Sequence, residues 1–151
     1  MTDELLNLPE YEFNIKREHG GLVIYDELRC RFVALTPEEW VRQHFVHWLI
    51  AERGFRAGLM ANEMSIIQNG IKRRCDTVVA DRTGEPLVII EYKAPTVTVN
   101  QKTFDQIVRY NMVLRARYLI VSNGLVHYCC RINYDEDSYE FLPDIPHYDQ
   151  L

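Results

Sequence analysis

The sequence predicts an α/β fold in which a mixed central sheet is flanked by helices, with extra N- and C-terminal strands. Three observations carry that expectation. A helix-period segment with start and stop signals occupies residues 36–54, three β-branched apolar segments separated by turn signals begin near residue 60, and a second helix-period segment runs into one more apolar strand. The core order is therefore helix, three strands, helix, strand (αβββαβ). A helix that carries the chain from the third strand to the fourth permits a parallel crossover between them, which makes the sheet mixed. The chain has 151 residues, 47% of them hydrophobic and 26% charged, enough to bury a substantial core. One domain is expected over 1–151, with a core region over 36–142 and an N-terminal strand extension over 1–35.

In the extension, "GLVIYDEL" and "RCRFVAL" read as two short strands joined by a charged turn, a ribbon of structural role. The first helix is the best marked element. In "LTPEEWVRQHFVHWLIAERGF", Thr36 and Glu39 form a capping box, Pro37 suits the first helical position and Gly54 marks the stop. Val41, Phe45, Trp48 and Leu49 share one face, so this helix packs on the sheet. From Met60 the period changes. "LMANEMSIIQNG" ends in the hairpin signal Asn69-Gly70, "KRRCDTVVA" returns, and "DRTGEP" turns the chain into "LVIIEYKA", giving an antiparallel meander of three strands. Pro95 ends the third. "TVNQKTFDQIVRYNMVLRA" regains helical spacing through Phe104, Ile107, Val108, Met112 and Leu114, and "RYLIVSNG" is a buried strand closed by Asn123 and Gly124. "LVHYCCRINY" and "YEFLP" are expected as edge strands.

Charge and composition narrow the function. A formal charge of −5 and a pI of about 5.5 provide no general basic field, so any nucleic-acid contact must come from a local patch. Cys30, Cys75, Cys129 and Cys130 form no CxxC pair and read as buried free thiols. His44, His47 and His127 show no metal-ligand spacing with them, which leaves structural or surface roles. The acidic opening "MTDELLNLPEYEF" lacks the features of a signal peptide, and no stretch approaches the ~18 apolar residues of a membrane helix. A soluble cytoplasmic protein without a membrane partner is expected.

The chemistry concentrates around "CDTVVADRTGEPLVIIEYKAP". Val88, Ile89 and Ile90 are consecutive and apolar, the mark of a strand covered on both faces and therefore central. A carboxylate and an ammonium at the far end of such a strand are unfavourable unless they meet partners or a metal. Side chains alternate, so Glu91 and Lys93 share a face, and the turn over residues 81–85 brings Asp76 opposite Glu91, to within one residue of register. Two close carboxylates repel. Mg²⁺, or Mn²⁺ in its place, relieves that repulsion and keeps positions for waters and a phosphate oxygen. A neighbouring lysine can orient the attacking water and offset charge on the phosphate. These groups are the minimum equipment for phosphodiester hydrolysis. The run Lys72, Arg73, Arg74, together with Lys102, Arg109, Arg115 and Arg117 on or after the second helix, offers a local basic surface for phosphates.

Asp76, a 14-residue gap, Glu91-Tyr92-Lys93, and then a helix with Gln106 and Tyr110 four residues apart resemble the PD-(D/E)xK nuclease superfamily. The likeness is in particular to the N-terminal nuclease region of type I restriction enzyme R subunits. It covers residues 36–142, with Cys75 standing where the motif's proline would be. The resemblance implies a restriction-endonuclease-like fold and a Mg²⁺-dependent DNA endonuclease domain of restriction type. Asp76, Glu91 and Lys93 would be the catalytic set, with Asp76 and Glu91 on the metal and the Tyr92 carbonyl as an added ligand. Gln106 and Tyr110 would be accessory, and an acid from Glu38, Glu39 or Glu63 would join the site in some members. Implied partners are DNA, other restriction or defence subunits, and a second copy of the chain. The alternative is a catalytically silent module that keeps the fold for nucleic-acid or partner-protein binding. The acidic charge, the short chain and the lack of a Gly-x-x-x-x-Gly-Lys-Ser/Thr phosphate loop favour that alternative.

Overall fold

A computed structural model describes residues 5–151; residues 1–4 of the acidic opening lie outside the described residues. Strands β1 (Ile15–Glu18), β2 (Gly21–Asp26) and β3 (Arg31–Ala34) form a small antiparallel sheet ahead of helix α1 (Pro37–Glu52). Then follow β4 (Met60–Gln68), β5 (Ile71–Ala80), β6 (Pro86–Tyr92), helix α2 (Gln101–Asn111), β7 (Tyr118–Ser122), β8 (His127–Asn133) and β9 (Ser138–Leu142). Among the described residues β4 to β9 make one six-stranded sheet in chain order. Only β6 and β7 run parallel, Ile90 beside Ile120, because α2 carries the chain back between them. The mixed α/β fold expected from the sequence is the fold observed.

Both faces of the sheet are covered. On one side Val41, Phe45 and Leu49 of α1 pack against Val79, Val88, Ile90 and Ile120; on the other, Phe104 and Val108 of α2 pack with Leu114 against Val78, Ile89, Leu119 and Val121. Each such side chain, fully buried, contributes about 1.5–3 kcal/mol. This double cover explains the unbroken apolar run at Val88–Ile90, whose residues face the two layers alternately.

The differences from expectation are local. The N-terminal ribbon has a third strand, β1, whose sequence IKRE carries no apolar alternation and is held by pairing with β2. Thr36 does cap α1, accepting from Glu39 N at 3.1 Å, but the Glu39 carboxylate turns inward instead of completing a capping box. Strand β8 is interior, paired with both β7 and β9, so among the described residues β9 is the edge strand at this end. Helix α2 gives way to a 3-10 turn at Met112–Leu114, closed by Arg115 at φ +60°. Cys75, Cys129 and Cys130 are buried free thiols, whereas Cys30 is exposed in the β2–β3 turn at φ +54°. No helix among the described residues is long and apolar enough to cross a membrane.

One glycine pins the N-terminal segment to the core. Gly124 follows β7 at φ +86° and its carbonyl accepts from Asn7 N at 2.8 Å. A Cβ there would lie 2.7 Å from Leu6 Cδ2 and 3.1 Å from Val41 Cγ2. Gly124→Ala is expected to lower stability by about 1–3 kcal/mol, through the left-handed backbone and the crowding together. A urea midpoint unchanged by the substitution would refute this.

Candidate active site

The sheet assembles the site at the far end of its two central antiparallel strands. Thr77 pairs with Ile90, and one further step along the same register sets Asp76 beside Glu91. Ile89 faces the α2 layer and Ile90 the α1 layer, so Glu91 falls on the α2 side of the sheet. Strand β5 loses its alternation here: Cys75 packs in the α2 layer, while Thr77 hydrogen bonds with the Tyr92 hydroxyl at 2.9 Å on the α1 side. Across from Asp76, Glu63 of β4 takes up the extra twist with φ at +56°. The result turns the Asp76 carboxylate toward Glu91.

Asp76 is fixed by two bonds. Its Oδ2 accepts from Tyr92 N at 2.9 Å and its main-chain carbonyl accepts from Arg42 Nη1 at 2.7 Å. Glu91 is held differently. Its Oε1 is fully buried with no hydrogen-bond partner among the described residues, as is Asn111 Oδ1, while Asn111 Nδ2 donates to the Ile107 carbonyl at 2.9 Å. Burial, and then the negative charge of Asp76, push the Glu91 carboxyl up to about 9, against the opposing pull of the Lys93 ammonium and the Asn111 amide. Lys93 follows β6 directly, its amide donating to the Ser122 carbonyl at 2.9 Å. Burial, with the charges of Glu91 and Asp76 behind it, pushes the Cys75 thiol up to about 12, so Cys75 is a wall of the site and no nucleophile.

The two carboxylates suit a hard divalent cation. A buried carboxyl oxygen without a partner, next to a second acid whose charge keeps it protonated, is a site that a cation could occupy in place of that proton. Among the described residues no cluster of three or more His, Cys, Asp or Glu side chains surrounds it. Glu38 is exposed, Glu39 accepts from Arg29, Arg42 and Gln43, and Glu63 is bridged by Arg42 and Arg74 at 2.8 and 2.7 Å. That leaves Asp76 and Glu91 as two acids of the site not bridged by an arginine, a number that Mg²⁺ could accept because it keeps several waters.

The remaining predicted residues divide between two surfaces. Lys102, Gln106 and Arg109 are exposed on α2 at i, i+4 and i+7, one stripe of the helix. Lys72 and Arg74 are exposed on β5 near its hairpin tip. Arg73 turns to the α2 side, its guanidinium 4.4 Å from the Tyr110 ring centre and its Nε donating to the Tyr110 carbonyl at 3.1 Å. Arg115 lies over Tyr134 instead, 4.4 Å from its ring centre. His44 and His47 donate to the carbonyls of Trp40 and Gln43, each at 2.8 Å, and His127 sits between Ser122 Oγ and the Asn7 carbonyl.

Two contributors went unforeseen, Arg42 and Asn111. Arg42 lies three positions before Phe45 and seven before Leu49, on the buried face of α1, and a charge on an apolar face was the available signal. Asn111 gave none, since it sits one residue past the predicted Tyr110 at the helix end.

A first helix, a three-strand meander and a crossover helix leading to a parallel strand, with paired acids and a lysine at the end of the central hairpin, define a restriction-endonuclease-like domain. The chain belongs to the family described as Type I restriction enzyme R protein N terminus (HSDR_N), which matches residues 37–146. Among solved structures it is similar to a fragment assigned to an HsdR subunit of a type I restriction enzyme from Vibrio vulnificus YJ016. That likeness has a TM-score of 0.53 at 20% identity and covers 78% of this chain and 24% of that chain. At this identity the likeness is one of fold, and the chain spans about a quarter of the length of its structural neighbour. No curated protein matches the chain.

Proposed function

We propose that this domain is a Mg²⁺-dependent DNA endonuclease of restriction type, hydrolysing phosphodiester bonds with a metal-activated water. The observation that supports it most is the pairing of Asp76 with Glu91, one of whose oxygens is buried and unpartnered. Asp76 and Glu91 would hold the ion, with the Tyr92 carbonyl as the further oxygen the resemblance implies. Bound there, Mg²⁺ supplies Lewis acidity that makes a coordinated water a better nucleophile at neutral pH. The chain supplies the rest. Tyr92 N–H keeps the Asp76 carboxylate aimed, and Lys93 offsets charge building on the phosphate and orients the water. Glu91 would have to give up its proton for an ion to bind, so uptake would release protons to the buffer. The α2 stripe, with Lys102, Gln106 and Arg109, and the hairpin cations Lys72 and Arg74 contact the DNA backbone without reading sequence. Arg73 and Tyr110, bound to one another, brace the hairpin against α2. Its partners, by the same reading, are DNA, other subunits of a restriction complex and a second copy for cutting both strands.

Purified protein incubated with plasmid and Mg²⁺ or Mn²⁺ is expected to nick or linearise it, and Asp76→Ala is expected not to. Cleavage that survives Asp76→Ala belongs to other residues. Calorimetric titration that detects neither metal uptake nor proton release would leave the fold as a silent binding module.

A further inference from the structure

The N-terminal ribbon is tied to the candidate site by a closed circuit of hydrogen bonds that begins and ends on Asp76. Arg42 Nη1 donates to the Asp76 carbonyl at 2.7 Å, and Arg42 Nε donates to Glu39 Oε2 at 3.1 Å. The other Glu39 oxygen accepts from Arg29 Nη2 at 2.7 Å, and Arg29 Nε donates to Asp26 Oδ2. That same Asp26 oxygen accepts from Asn62 Nδ2 at 3.0 Å, and Asn62 Oδ1 accepts from Thr77 Oγ1 at 2.6 Å. Thr77 meets the Tyr92 hydroxyl at 2.9 Å, and Tyr92 N returns to Asp76 Oδ2 at 2.9 Å. Asp26 and Arg29 belong to the β2–β3 end of the ribbon, Glu39 and Arg42 to α1, Asn62 to β4 and Thr77 to β5.

Bulk stability is a poor account of this circuit. Asp26, Glu39, Arg42, Asn62 and Thr77 are all buried, and replacing buried ionic groups by packed apolar ones is often neutral or stabilising. What such a network provides is direction. Arg42 uses all three guanidinium nitrogens, on Glu39, Glu63 and the Asp76 carbonyl, and its planar fork fixes the angle between them. The Asp76 main chain lies where β5 loses its alternation and Glu63 opposite is left-handed, so the pleat alone does not set that carboxylate.

We propose that Arg42 is a positioning residue for Asp76 and that the ribbon, through Asp26, Arg29 and Glu39, sets how well the Asp76–Glu91 pair takes up a divalent ion. The inference rests on the metal-binding reading given above. A second-sphere network of this kind changes metal affinity without touching the metal.

The test compares Arg42→Lys, Arg29→Gln and a control, Ile24→Val, which loosens the ribbon's apolar core without breaking any link of the circuit. Mn²⁺ dissociation constants are measured by electron paramagnetic resonance, and amide exchange at Tyr92 is measured in metal-free protein. Arg42→Lys keeps the charge but loses the fork. It is expected to weaken Mn²⁺ binding about 10- to 100-fold and to speed exchange at Tyr92 relative to Ile90. Arg29→Gln, remote from the site, is expected to shift both in the same direction by a smaller factor, and Ile24→Val to shift neither. If Ile24→Val moves the Mn²⁺ constant as far as Arg29→Gln does, the ribbon acts through stability alone and the proposal fails. It fails equally if both circuit variants keep wild-type affinity and wild-type Tyr92 exchange. Wild-type protein that binds no Mn²⁺ would sink the metal-binding reading instead, and the Tyr92 exchange would still decide whether Arg42 fixes Asp76.

Discussion

On the proposed reading, Lys93→Ala is expected to retain Mn²⁺ uptake while losing cleavage by about 10²–10³-fold, the scale of removing one preorganised charge from a transition state; Asp76→Ala is expected to lose both. The separation follows from the arrangement at the end of β6. Asp76 and Glu91 form the acidic pair, and the Lys93 ammonium works against the proton affinity of Glu91. On the proposed reading, removing Lys93 would leave both acids for an ion and take away the positive charge meant for the phosphate. Removing Asp76 takes away the acceptor of the Tyr92 amide and would take away half of the proposed ligand set. Single-turnover cleavage of plasmid, paired with a Mn²⁺ titration of each variant, measures the two effects separately. Equal losses of uptake in both variants would refute this division of labour.

The second large effect is on stability against pH. In metal-free protein the Glu91 carboxyl is pushed up to about 9, so between its ordinary value near 4.5 and that point the folded state holds a proton that the unfolded state has released. Stability therefore falls as pH rises through this window, at a limiting slope of ~1.4 kcal/mol per pH unit. The loss between pH 5 and pH 8 is up to about 4 kcal/mol on that slope. Asp26 and Glu63 work in the opposite sense. Burial would raise both, but Arg29 and Asn62 on Asp26, and Arg42 and Arg74 on Glu63, outweigh it and hold them below their usual range. Their contribution is present above ordinary carboxylate pKa values and is lost as acid takes the pH down through their lowered folded values. Between pH 5 and pH 8 the Glu91 contribution is thus largest near pH 5, and it is opposed by His44 and His127, which burial holds below the usual imidazole range and which add stability as pH rises toward neutrality. Glu91→Gln is expected to flatten the alkaline side, and Mg²⁺ is expected to restore stability there in the wild type and not in the variant. Urea midpoints across pH 4–9 with and without Mg²⁺ provide the measurement, and a metal-free Glu91→Gln curve that runs parallel to the wild type from pH 5 to 8 contradicts the assignment.

The α/β order was legible because its signals are local. Thr36-Pro37 and Gly54 bound α1, Asn69-Gly70 makes the β4–β5 turn with φ values of +52° and +75°, and the apolar run Val88–Ile90 marks the central strand. Asp76 and Glu91 were legible for the same reason, since one short hairpin joins them and its turn sets their register. Long-range pairing was not. β1 offers only IKRE to a local reading, and β8 becomes interior because β9 pairs back onto it. The inward turn of Glu39 was hidden by a sufficient local explanation, the capping box, while its partner Arg29 lies ten residues earlier in the β2–β3 turn. Asn111 reaches Glu91 only through the way α2 ends, a boundary that the periodicity of Phe104, Ile107, Val108, Met112 and Leu114 extends too far.

Glu63 also bears on the solution behaviour of the protein. Strand β4 is an outer strand of the six-stranded sheet, and beyond Glu63 it presents Met64 and Ile67, 44% and 71% exposed. A long, flat, apolar outer strand is a template on which another chain can add itself. The left-handed backbone at Glu63 interrupts that template midway, twists the strand, and places beside it an ion pair with Arg74 that an incoming strand would have to strip of water. The kink that helps turn Asp76 toward Glu91 thereby also guards the chain against assembling into sheets with its own copies.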